Sequence, residues 1–304
     1  MTKVLAVIDS EPDDLLMIYL LVKKYGIENV EILHLNNKEN TEWDGTKKIT
    51  ELVEIMGINK ELLHANIELE EIKLMISKPE LIFWTCDFTP LFEIYKTDPE
   101  LCSKLTIYCY GSMNFRWCYS DLSRPEQDIF FGMLNRGFKK LYVFETYHAF
   151  GEVNSANKNT TPELAKCLVN SENEALKYVV EQTRQWNTTI YNKCVEDIKM
   201  NFPDFTDLDI ERMSKDTNDK NHIDAKIIKN ISENKEFQMV FADFALPVLI
   251  EHDYFKPTSA KLNGRFVAIE SVPESELYYF ITPKEQKANY MAILDSLLSV
   301  NINY

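Results

Sequence analysis

Residues 3–26 read KVLAVIDSEPDDLLMIYLLVKKYG: an apolar run, a short acidic turn, and a longer apolar run closed by glycine. Successive apolar residues in KVLAVI suit a strand covered on both faces, as strands of parallel sheets are. Pro12 fits the first turn of a helix, where its missing N–H leaves nothing unpaired, and Gly26 fits the helix end. A strand feeding a helix through so short a turn is the first half of a βαβ unit.

The pattern continues outward. VEILHL (30–35) is a strand and GTKKITELVEIMG (45–57) a helix closed by Gly57. LIFWTC (81–86), LTIYCY (105–110) and KLYVFE (140–145) are further strands separated by helical or loop segments. This alternation predicts an α/β fold with a doubly wound, mostly parallel sheet. After about Ala165 the texture changes. Residues 172–200 read as helix, and 201–237 as a polar, charged helical excursion near the upper edge of the sheet. MVFADFALPVLIEHDYF (239–255) restores a strand-to-helix signal. RFVAIES (265–271) and ELYYFIT (276–282) are expected to pair antiparallel, and residues 284–300 to form a closing helix. No repeat or low-complexity tract interrupts 1–304, so a single domain with an inserted helical part is expected.

The formal net charge of −15, from 48 acidic and 33 basic residues, disfavours nucleic acid and anionic membranes as partners. A small-molecule ligand fits better. No run approaches the ~20 apolar residues of a membrane span, and the N-terminus lacks a signal-peptide cleavage pattern. The six cysteines form no C-x-x-C pair and read as buried free thiols of a reducing, cytosolic compartment. Trp84, Trp117 and the YYF segment (278–280) read as core.

Three aspartates, Asp9, Asp13 and Asp14, lie between the first two apolar runs. Acids in a helix's first turn are also ordinary partners of the helix dipole, so this motif is weak by itself. The arrangement recurs, however. Asp243 ends an apolar run and precedes an amphipathic segment, while Glu152 and Asn154 follow the strand at 140–145. Polar groups after several strand ends converge on one crevice in this architecture. Convergent carboxylates need a hard cation, and oxygen donors favour calcium or magnesium over zinc.

These segments resemble the inosine/uridine-preferring nucleoside hydrolases. DSEPDD (9–14) keeps the acidic positions of that family's D-P-G-x-D-D signature. GSMN (111–114), GEVN (151–154), TPELA (161–165) and ADFAL (242–246) resemble later family segments, and Asn37 in LHLNN resembles an Asn after the second strand. The matches keep family order from residue 3 to about 257. The resemblance implies a sheet of nucleoside-hydrolase type and a Ca2+ cofactor held by Asp9, Asp14, Asp243 and a main-chain carbonyl near Cys109. It makes Asp9 the base that takes a proton from water. Asp13 would accept from a ribose hydroxyl, Asn37 and Asn154 would hold sugar hydroxyls, and Glu152 the 5′-hydroxyl. The implied reaction is hydrolysis of a ribonucleoside to ribose and free base, with discrimination against 2′-deoxy substrates. A homodimer or homotetramer is implied as well.

Some positions depart from the family. Its Pro-Gly is Ser10-Glu11, with Glu11 expected to point to solvent. The His that helps protonate the leaving base in many members is Ala242, and an expected Asn before Glu152 is missing, with Thr146 the nearest polar residue. His148, His252, Tyr147 and Tyr254 are weak substitutes, since a lone loop His is more often a surface residue. A base that is already cationic, as in nicotinamide riboside, needs no such acid. A second reading is therefore a catalytically degenerate protein that binds calcium and a ribosyl ligand without turnover. A phosphatase using the first Asp is disfavoured, because DSEPD lacks the second Asp of D-x-D.

Overall fold

The computed structural model describes residues 2–9, 11–35, 43–110, 115, 118–144, 162–216, 218–233, 246–249, 255–264 and 266–280. The first strand, β1 (Val4–Ile8), is buried along its whole length. It feeds α1 (Pro12–Tyr25), which has Pro12 at its start and ends at Gly26 with φ +87°, a left-handed backbone that glycine adopts without strain. β2 (Val30–His34), α2 (Gly45–Ile55), β3 (Leu63–Ala65), α3 (Leu69–Ile76), β4 (Leu81–Trp84), α4 (Thr89–Thr97), α5 (Pro99–Cys102), β5 (Thr106–Tyr110), α6 (Arg124–Arg136) and β6 (Lys140–Phe144) follow. The alternation expected from sequence is present, with the three-residue β3 an addition.

Among the described residues the strands form one sheet in the order β3-β2-β1-β4-β5-β6-β9-β7-β8, completed by β7 (Phe255–Asn263), β8 (Phe266–Ser271) and β9 (Leu277–Phe280). The ladders from β3 through β9 are parallel, and β7 alone runs the other way, pairing antiparallel with both β9 and β8. The expected antiparallel pairing of RFVAIES with ELYYFIT is thus corrected. Each pairs with β7, which lies between them. That strand, FKPTSAKLN, is half polar and carries Pro257, so its strand signal was weak.

Helices cover both faces. α1 and α2 pack on one side with α7 (Pro162–Val169), α8 (Glu174–Asn201) and α11 (Leu246–Leu249). On the other side lie α3, α4 and α6. α1 is buried from Pro12 to Val22 because it is sandwiched between the sheet and the outer helices. α8 is the outer one. Its Tyr178 hydroxyl donates to Glu51 Oε2 (2.7 Å), and its Trp186 ring meets Trp43 edge-on with centroids 5.0 Å apart. It therefore runs antiparallel to α2, rising toward the edge of the sheet where β2 ends. Beyond Trp186 it carries a satellite core of Cys194, Ile198, Ile210, Met213, Ala225, Ile227 and Ile228 with α9 (Asp207–Lys215) and α10 (His222–Glu233). Both helices fall within the segment 201–237. The strand expected around 239–243 and the helix at 284–300 lie outside the described residues, as does Trp117. Trp84 and Tyr279 are core, and all six cysteines are free, five of them buried. No described helix is long and apolar enough to cross a membrane.

Candidate active site at the carboxyl edge of the sheet

β1 lies where the strand order reverses: β2 and β3 extend to one side, β4 and β5 to the other. The crevice above such a switch point is the usual ligand site of a doubly wound sheet. Asp9 follows β1 directly at that point and is half-buried. Asp13 and Asp14, in the first turn of α1, are 1% and 0% exposed. Asp9, Asp13 and Asp14 therefore share one strand–turn–helix corner, and the expected convergence with Asp243 lies outside the described residues. Val7, Trp84 and Cys109 stand in one row across β1, β4 and β5, so Cys109 lies two residues below the level of Asp9, with its thiol in the opposite hydrophobic layer. Asn37, Glu152, Asn154 and Asp243 lie outside the described residues, as do Asn114, Thr146, Tyr147, His148, Ala242, His252 and Tyr254.

The electrostatics of the corner are one-sided. Burial pushes the Asp14 carboxyl well above its usual range, and the Asp9 and Asp13 charges add to it; the Thr85 hydroxyl opposes the shift. Glu11 is likewise raised, first by burial and then by Asp9, Asp13 and Asp14. The expectation that Glu11 points to solvent is corrected: it is half-buried at the N-cap of α1, and its backbone N–H donates to Asp14 Oδ2 (3.2 Å). With Pro12 two residues later than the Pro of a D-P-G turn, Glu11 sits on the helix terminus itself.

Three neighbours escaped the sequence reading. Thr85, just beyond β4, donates its hydroxyl to Asp14 Oδ1 (2.5 Å). His34, at the end of β2 and fully buried, shares a hydrogen bond with Thr46 Oγ1 through Nδ1 (3.2 Å). Burial lowers its pKa, opposed by a bond to the Asp9 backbone and by Asp44. Cys86 is buried beside the acids; burial raises its thiol, with Asp9, Asp14 and Asp87 adding to the shift, so it is a neutral thiol. A polar residue just past an apolar strand was the available signal for Thr85 and His34.

Donor chemistry at this corner fits a hard divalent cation. The charges acting on Glu11 and Asp14 are carboxylates, a mutual repulsion that such an ion relieves. Among the described residues no three metal-ligating side chains form a group that could hold a metal ion.

No protein-family model matches the sequence, and no curated protein sequence matches it. Solved structures do match. A plant nucleoside hydrolase superposes with TM-score 0.60 at 10% identity, over 98% of this chain and 99% of that one. An inosine-guanosine nucleoside hydrolase gives 0.57 at 11% identity, over 97% and 98%. A purine-preferring ribonucleoside hydrolase from Gardnerella vaginalis gives 0.51 at 10%, also over 97% and 98%. Coverage this complete makes the correspondence one of whole folds, and the chain has the α/β fold of these nucleoside hydrolases.

Proposed function

We propose that the chain is a divergent nucleoside hydrolase that cleaves the N-glycosidic bond of ribonucleosides, adding water to C1′ and releasing ribose and free base. The observation that carries this reading is the acidic corner of Asp9, Asp13 and Asp14 at the switch point of a sheet shared with nucleoside hydrolases. Asp9, Asp14, Asp243 and a main-chain carbonyl near Cys109 would hold Ca2+. When bound, the ion would acidify a water molecule and grip the vicinal diol of ribose. Asp9 takes the proton from the attacking water. Asp13 accepts a hydrogen bond from a ribose hydroxyl, Asn37 and Asn154 orient the other sugar hydroxyls, and Glu152 holds the 5′-hydroxyl. The ring of carboxylates stabilises positive charge developing on the ribosyl group.

Ala242 favours substrates whose base leaves without protonation. It also supports a second reading, a degenerate protein that binds calcium and a ribosyl ligand without turnover.

One experiment tests the first reading: release of reducing sugar from a nucleoside panel, with Ca2+ and with chelator. The expected result is turnover that chelator abolishes, with nicotinamide riboside faster than inosine and 2′-deoxynucleosides slower than either. Asp9→Ala is expected to lower kcat by about 100-fold or more, the usual scale for losing a general base. Equal turnover by wild type and Asp9→Ala overturns the mechanism. Calcium-dependent ligand binding with no sugar released selects the binding protein.

A further inference from the structure

The carboxylate of Asp14 is held from two directions. Glu11 N–H donates to Oδ2 at 3.2 Å, and the Thr85 hydroxyl donates to Oδ1 at 2.5 Å. The second distance is that of a charge-assisted O–H···O bond. A hydroxyl has one proton, and its other acceptor among the described residues, the Val7 carbonyl, is farther at 3.2 Å, so Asp14 takes it. A carboxylate offers about four lone-pair sites. Two are used in this way, which fixes the plane of the group; Asp14 also shares a side-chain hydrogen bond with Asp9, the other acid that would face the cation.

Thr85 is itself braced. Its backbone N–H donates to Val7 O (2.9 Å), tying the turn after β4 to β1. Trp84 Nε1 donates to Asp87 O (2.9 Å). Asp87 Oδ1 accepts from Thr89 N (3.0 Å), Thr89 Oγ1 (2.9 Å) and Cys118 Sγ (3.0 Å). Both Thr85 and Asp14 are buried, at 5% and 0% exposure, so water does not compete for the bond. A strand–turn with this many constraints exceeds what helix capping alone requires, since the Glu11 N–H already satisfies the cap.

We propose that Thr85 is a positioning residue for cation binding: its hydroxyl sets the orientation in which Asp14 receives the divalent ion. The inference rests on the calcium-dependent reading above and adds to it a residue from the turn after β4. Partners that orient a metal ligand typically govern affinity by about 10- to 100-fold.

The test is calorimetric titration of the full chain with Ca2+, in the absence of any nucleoside, for wild type, Thr85→Val and Thr85→Ser. The isosteric Thr85→Val is expected to raise the Kd for Ca2+ about 10- to 100-fold, with an unchanged circular dichroism spectrum in chelator. Thr85→Ser is expected to restore wild-type affinity, because it returns the hydroxyl. Should Thr85→Val fail to fold, Thr85→Ala removes the same hydroxyl without placing a second methyl near Asp14. Wild-type affinity in Thr85→Val or Thr85→Ala overturns the role of Thr85 and leaves the calcium reading standing. Failure of Thr85→Ser to restore affinity also overturns it. A wild-type chain that takes up no Ca2+ overturns both.

Discussion

Asp14 and Glu211 are acids pushed in opposite directions by their surroundings. Asp14 is raised by burial among other carboxylates, whereas Glu211 is pulled down to about 2 by Lys215 first and Lys229 second. Lys215 is one turn away on α9, and Lys229, which also reaches Glu233, belongs to α10. A carboxylate whose folded pKa is depressed stabilises the fold above its unfolded value, near 4.5 here, and loses that contribution as pH falls through the folded value. The α9–α10 contact is therefore expected to persist at pH 3 and loosen near pH 2. A carbonyl-detected NMR titration of Glu211 should give a midpoint near 2, and one near 4.5 would refute the pairing. The acids of the candidate site were legible because charge between two apolar runs is conspicuous in one dimension. Thr85 was not: a threonine after LIFW also suits a strand, and nothing local shows that its partner lies 71 residues earlier.

At the scale of elements, β7 shows what a local reading misses. Its strand character comes from partners on both sides rather than from its own residues. Past Thr258, the last β7 residue paired with β9, the side-chain amide of Asn135 on α6 takes over the pairing. Its Oδ1 accepts from Ala260 N (2.7 Å), and its Nδ2 donates to Ala260 O (2.8 Å), so one side chain does the work of a strand residue. Asn135→Ala strands both backbone groups in a part-buried place. A loss of about 1–3 kcal/mol is expected in urea unfolding, and an unchanged midpoint would mean that water replaces the amide at no cost. The parallel strands β1, β2, β4, β5 and β6, by contrast, were legible. Their runs are apolar on both faces, and helix signals such as Pro12, Gly26 and Gly57 fall between them.

At the scale of the whole molecule the described residues form two tiers: a large core around the sheet and a small one around the upper part of α8. Met213, fully buried in the small one, is the place to separate them. Met213→Ala should cost about 2–5 kcal/mol locally. In hydrogen exchange it should deprotect α9 and α10 while β1, β4 and β5 stay slow; uniform deprotection would show a single cooperative unit instead. The polar texture of 201–237 announced this tier, but its seat on α8 was illegible, since nothing in a helix sequence says which half packs on which core. α8 has 28 residues, about 42 Å at 1.5 Å per residue. One rod therefore roots the upper tier in the lower, and no seam between them falls at a chain break. Descendants of this gene can trade, lengthen or shed the hairpin after Asn201 by recombination within that hairpin, whereas any crossover inside the rod severs a beam that α1 leans on.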